Sequence, residues 1–155
     1  MIVAFCGHAD YAKKEEDKQT ILALLEREVG DKPCDFFLGE YGAFDSLAYE
    51  CARDFQKKHP SVKLIFITPY LSPNYRKNID ASKKFDQIIY PELEKVPPRY
   101  AVLRRNRWIV EQAEVLIAYV DHRYGGAYRT YQYALTKKKR IYNTAPCSAE
   151  KPAFE

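Results

Sequence analysis

Six short apolar runs punctuate the chain: Ile2 to Cys6, Asp35 to Leu38, Lys63 to Ile67, Gln87 to Tyr90, Glu114 to Val120 and Arg140 to Tyr142. Being apolar nearly throughout instead of alternating, they have the pattern of strands buried on both faces. Between them the period becomes helical. Lys13 to Val29 puts Ile21, Leu22, Leu25 and Val29 on one stripe and stops at Gly30. Phe44, Leu47, Ala48, Cys51, Ala52 and Phe55 recur at intervals of three and four before Pro60. A third helix is expected from about Arg99 to Ala113. A fourth should run from about Ala127 to Lys138, following Gly125 and Gly126. Such alternation needs crossover helices on both sides of a mostly parallel sheet, so the predicted class is α/β, three layers around about six strands. Thr68 to Lys84 reads as a long excursion with room for one helical turn. Residues 1–143 read as a single domain and 144–155 as a C-terminal tail.

A length of 155 residues suits one domain, and 46% hydrophobic with 30% charged residues suits independent folding. The net charge of +4 favours an anionic partner but lacks the concentrated basic footprint of a dedicated nucleic-acid binder. A small anion therefore ranks first and nucleic acid below it. The chain has no apolar run near the roughly 18 residues of a membrane span, and its start meets charge too early for a signal peptide. The expectation is a cytoplasmic protein without membrane contact. Cys6, Cys34, Cys51 and Cys147 are scattered without a C-x-x-C and read as core residues. His8, His59 and His122 lack ligand spacing, so neither a metal nor another cofactor is expected.

In open parallel sheets ligands settle beyond the carboxyl ends of the strands. Those positions hold Gly7-His8-Ala9-Asp10, Gly39-Glu40-Tyr41-Gly42, Thr68-Pro69-Tyr70 and the loop from Asp121 to Gly126. Four of the six glycines fall in the second and last of these loops. There glycine permits close backbone approach, and a following helix offers free N–H groups to a phosphate, with Gly126 expected at a positive φ. Neither G-x-x-x-x-G-K-[ST] nor G-x-G-x-x-G is present, which removes ATPase and nicotinamide dehydrogenase readings. Arg104, Arg107 and Glu111 stack along one helical face, so Arg107, oriented by Glu111, is the candidate phosphate arginine. The basic run Lys137 to Arg140 reads as a solvated helix end. Tyr11, Tyr41, Tyr70 and Tyr124 stand near strand ends, where a ring can stack on a base. Aromatic residues around Tyr100 and Trp108 suit a helix-mediated homodimer.

Taken as an ordered set, Met1 to His8, Gly39 to Ala48, Leu64 to Tyr70, Arg104 to Ala113 and Gly125 to Thr130 resemble the SLOG superfamily and its small bacterial branch. These are Rossmann-like nucleotide-ligand domains that include DprA-like and cytokinin-activating LOG proteins. The resemblance implies a Rossmann-like fold whose loops hold a nucleotide-type ligand. In that picture Gly125, Gly126 and Arg107 take the phosphate. Gly39, Gly42 and Asp45 form the opposite wall, with Asp45 on ribose hydroxyls, and Gly7 and His8 make the floor. Asp121 and Thr130 complete the set. The LOG hydrolases carry a glutamate in the helix after their Gly-Gly loop. Here Thr130 stands near its place, and Ala127 to Leu135 holds no carboxylate. The leading expectation is thus a nucleotide sensor or ligand-binding domain. The alternatives are an N-glycoside hydrolase using Glu111 or Glu40, and a nucleic-acid-binding domain.

Overall fold

The computed structural model describes residues 1–71 and 83–146. All six expected strands form, as β1 (Ile2–Gly7), β2 (Cys34–Leu38), β3 (Val62–Ile67), β4 (Gln87–Ile89), β5 (Val115–Tyr119) and β6 (Arg140–Asn143). They make one sheet in the order β4-β3-β2-β1-β5-β6, with every neighbouring pair parallel. The helices are α1 (Glu15–Glu28), α2 (Ala43–Lys58), α3 (Ala101–Gln112) and α4 (Gly125–Thr136). A 3-10 turn at Pro98–Tyr100 leads into α3, because Pro97 and Pro98 cannot donate to an α-helical ladder. Helix α4 starts two residues earlier than the apolar stripe suggests, so Gly125 and Gly126 are its first residues and not a loop before it.

The α1 and α2 stripes cover one face of the sheet, joining Ile21, Leu25, Phe44, Leu47 and Phe55 to Val3, Phe36 and Leu64. On the other face, Ile109 and Val110 of α3 and Tyr131 and Ala134 of α4 pack on Ala4, Ile65, Leu116 and Ala118. Successive β1, β2 and β3 side chains alternate between these layers, which is why the runs are apolar throughout. Trp108 is half-buried, stacked on Phe37 with ring centres 5.7 Å apart, so its ring packs on its own sheet and the expected dimer face keeps mainly Tyr100.

Cys6, Cys34 and Cys51 are buried, and burial pushes each thiol up to about 12, so they are inert core residues at neutral pH. Cys147, and residues 72–82 of the excursion after β3, lie outside the described residues. Hydrogen bonding to the sheet continues past Asn143: the Thr144 N–H donates to the Ala118 carbonyl at 2.7 Å, and Ala145 is buried. Among the described residues, no helix is long and apolar enough to cross a membrane.

Chain direction across the sheet reverses between β1 and its neighbour β5. From β1 the strands proceed to β2, β3 and β4, then the chain returns over the other face to β5 and β6. The loops after β1 and β5 therefore diverge to opposite faces and leave a crevice between them.

Candidate functional site

A cavity of about 430 Å³ opens in that crevice. Gly7 and His8 from β1, Gly39 and Asp45 from the β2 side, and Gly125, Gly126 and Thr130 from α4 all line it, which brings seven of the expected residues together. Gly126 does not have a positive φ; Gly125 does, at +90°. Among the described residues, a Cβ added at either would meet no atom within 4 Å beyond its chain neighbours and its own helix backbone, so both open onto free space. Helix α4 begins with no side-chain cap and no acidic residue in its first turn. Its leading N–H groups and the positive end of its dipole therefore open toward the cavity with neither a capping side chain nor a first-turn acid of the helix itself to satisfy them.

The other glycines do different work. A Cβ at Gly7 would fall 2.2 Å from the ring of Phe44, so the lack of a side chain there is required by core packing. Gly42 does not line the cavity. Its φ is +101° and a Cβ would fall 2.5 Å from Ala9 Cα, while the next N–H, of Ala43, donates to the Ala9 carbonyl at 2.9 Å. It locks the loop after β1 against the start of α2.

The arginine in the cavity is Arg105, not Arg107. Ala101, Arg105 and Ile109 fall at intervals of four on the buried stripe of α3, and Arg107 lies about 200° further round the helix. Arg105 is only 3% exposed; it donates to the Ile67 carbonyl at 2.7 Å and to Asn106 Oδ1 at 2.8 Å. Arg107 is exposed, its guanidinium over the Tyr133 ring on the outer side of α3. Glu111, expected to orient Arg107, instead accepts from the Tyr133 hydroxyl at 2.7 Å. Neither Glu111 nor Glu40, which pairs with Lys84, lines the cavity.

The carboxylates that do line it are Asp45 and Asp10. Asp45 Oδ2 accepts the Tyr41 N–H at 2.8 Å, which ties the loop before α2 to the first turn of that helix. Burial raises its carboxyl to about 6, outweighing the Tyr41 N–H and Arg105, which both favour the charged form.

His8 is buried, and its Nε2 accepts the Asp121 N–H at 3.1 Å. Burial, and then the neighbouring His122, lower its pKa and keep it neutral. Asp121 borders a smaller adjoining pocket instead of the main cavity. His8, Asp121 and His122 come within ligand distance of one another, which their sequence spacing conceals. The imidazoles are stacked 3.4 Å apart at 13°, however, and His122 Nδ1 is 2.8 Å from Asp121 Oδ1. Lone pairs in parallel ring planes do not converge on one ion, so this is a hydrogen-bonded ring stack. Tyr124 continues it 4.0 Å from His122.

No family model and no curated protein matches the sequence. Among solved structures, DNA processing protein A (DprA) of Streptococcus pneumoniae matches with a TM-score of 0.64 and 15% identity, over 96% of this chain and 51% of that one. DprA of Helicobacter pylori, whose structure describes a single-stranded DNA binding mode, matches at 0.64 and 19%, over 97% and 67%. The fold is DprA-like. This chain spans about half the length of the first protein and two thirds of the second.

Within the DprA-like fold, the residues that sequence reasoning missed as site members are Arg105, Asn106, Asp10 and Cys6. Arg105 had a readable signal, since Ala101, Arg105 and Ile109 share a helical stripe and an arginine on a buried stripe must have a polar purpose. Asp10 had only its loop position. Thr130 is buried, and its hydroxyl donates to the Gly126 carbonyl at 2.9 Å, so it serves the helix backbone.

Proposed function

We propose that the cavity binds a nucleotide unit, with its phosphate on the first turn of α4, and that the protein acts as a ligand-binding or sensing domain. The observation that carries this reading is the uncapped, acid-free start of α4 opening through Gly125 and Gly126 into the cavity. Arg105 supplies fixed positive charge to the same cavity. Asp45, ionised above about pH 6, offers an acceptor to ribose hydroxyls. Tyr41 and Tyr124, 60% and 69% exposed among the lining residues, present ring faces to a base.

A second reading, in which the nucleotide unit belongs to a DNA single strand, is favoured by the likeness to the Helicobacter pylori protein. The exposed tyrosines Tyr41, Tyr70, Tyr100 and Tyr124 agree with it, since they follow or precede elements at the same carboxyl edge of the sheet. That likeness supports nucleic acid as a partner, which composition alone ranks lower. The hydrolase alternative loses both of its named glutamates.

The test is calorimetric titration with adenosine monophosphate, ribose 5-phosphate and a 5′-phosphorylated oligothymidylate, on the parent and on Gly126→Val. The added side chain enters free space, and valine is a better helix residue than glycine by a few tenths of a kcal/mol, so the fold should hold. Affinity should fall at least about tenfold for each ligand the parent binds. Unchanged affinity in Gly126→Val would remove α4 as the anion site.

A further inference from the structure

Basic residues left unused by the cavity gather on the outer side of α3 and α4. Arg107 and Arg129 line a groove of about 530 Å³ together with Leu103, Thr130 and Tyr133. The Arg107 guanidinium lies 5.3 Å from the centre of the Tyr133 ring, and the Lys137 ammonium lies at the same distance from that ring, so two arginines line one short groove with a third cation nearby. Glu111, the nearby carboxylate, is engaged by the Tyr133 hydroxyl. Thr130 borders both the groove and the cavity, which makes the two compartments neighbours across one buried side chain.

We infer that the α3–α4 groove is a second anion subsite, which carries the phosphodiesters of a nucleic-acid single strand whose terminal nucleotide fills the cavity. The inference rests on the nucleotide reading of the cavity and adds the extent and direction of the ligand. Arginine forks suit phosphate oxygens, and the Tyr133 ring holds Arg107 in place without neutralising it. From Gly126 to Tyr133 the helix rises seven residues, about 10 Å at about 1.5 Å per residue. At about 3.4 Å per stacked nucleotide that is a run of about three nucleotides beyond the one in the cavity. A mononucleotide seated at Gly126 does not span it.

The experiment titrates 5′-phosphorylated oligothymidylates of increasing length, together with a pyrophosphate-linked dinucleotide, into the parent and into the double variant Arg107→Ala/Arg129→Ala. Both arginines are exposed, so unchanged thermal melting is the control for folding. Affinity should climb with each added nucleotide to about four and then level. In the double variant the tetranucleotide should bind at least about tenfold more weakly, while the mononucleotide is unaffected. The slope of log affinity against log salt should shrink by about 1.4, since each single-strand phosphate contact contributes about 0.7.

A tetranucleotide that binds no more tightly than the mononucleotide overturns the groove assignment and leaves the cavity reading standing. So does a double variant with unaltered affinity and salt slope. A dinucleotide that matches the tetranucleotide, with the same dependence on both arginines, overturns the strand in favour of a soluble ligand. If the parent binds neither mononucleotide nor oligomer, the cavity reading fails first and the groove fails with it.

Discussion

Replacing Asp45 by asparagine should stabilise the protein at neutral pH while weakening its ligand site. The carboxyl is raised from its ordinary 3.8 to about 6, chiefly because the cavity wall withholds water from it. At about 1.36 kcal/mol per pH unit, holding it ionised at pH 7 costs the fold on the order of 3 kcal/mol. The sign follows from proton counting. Between pH 3.8 and 6 the native state binds more protons than the unfolded chain, so stability falls as pH rises through that window and the cost is complete above it. Asparagine has nearly the same shape, accepts the Tyr41 N–H through its Oδ1, and carries no charge to desolvate. Thermal melting of parent and Asp45→Asn should therefore differ at pH 7.5 by up to roughly 6 to 12 °C in favour of the variant, at roughly 2–4 °C per kcal/mol. The gap should close as pH falls below the ordinary value of 3.8, where aspartate becomes protonated in the unfolded chain as well. A variant that melts below the parent at pH 7.5, with a gap that persists in acid, would refute this reasoning. It would make the carboxylate a structural anchor for Arg105 and the start of α2.

Two further outcomes follow from the same site. Adenosine monophosphate should release no free base above the uncatalysed background, because Glu40 and Glu111 stand outside the cavity and Thr130 is tied to Gly126; base release detected by chromatography and abolished by Asp45→Asn would establish a hydrolase. His8 is held neutral below its ordinary 6.5, so the native state loses stability relative to the unfolded chain as pH falls through and below that value. His8→Gln, which keeps an acceptor for the Asp121 N–H, should gain on the parent in melting temperature between pH 7 and 5, and parallel curves would disprove the assignment.

The architecture was legible because strands buried on two faces leave no polar residue in the run, as in Val3 to Phe5 and Leu64 to Ile67. The position of the site was legible for a related reason: strand ends can be read from where such runs stop, and parallel topology places ligands there. Side-chain direction was harder. Arg104, Arg105 and Arg107 are three near-identical signals in four residues, and only helical phase against Ala101 and Ile109 separates the one in the cavity from the two outside. Gly30 was legible as a helix stop, and it stands at φ +55° just past α1, but the separate roles of Gly7, Gly42 and Gly126 were not. Gly7 answers to Phe44, Gly42 to Ala9 and Gly126 to open space, and those neighbours are 37, 33 or no residues of sequence away. The ring stack of His8 and His122 likewise depends on a β1–β5 pairing that no local spacing records.

A parallel sheet sets the N-terminus of every crossover helix at the same edge, so the fold alone offers four anion sites, and what decides among them is how far each terminus is already satisfied. Helix α1 opens with Glu15, Glu16 and Asp17, whose charges already oppose its dipole. Helix α2 has Asp45 in its first turn, accepting from Tyr41. Helix α3 is entered through a 3-10 turn in which the Tyr100 and Ala101 N–H groups donate to Pro97 and Pro98, leaving fewer donors to offer. Only α4, among the described helices, starts with neither a cap nor an acid nor a preceding turn, and it is also the helix whose first residues have no side chain to block approach. A G-x-G-x-x-G signature is one way to obtain such a terminus. The physical requirement is weaker than the motif, since unsatisfied N–H groups beside an open crevice meet it, and Gly125-Gly126 supplies both.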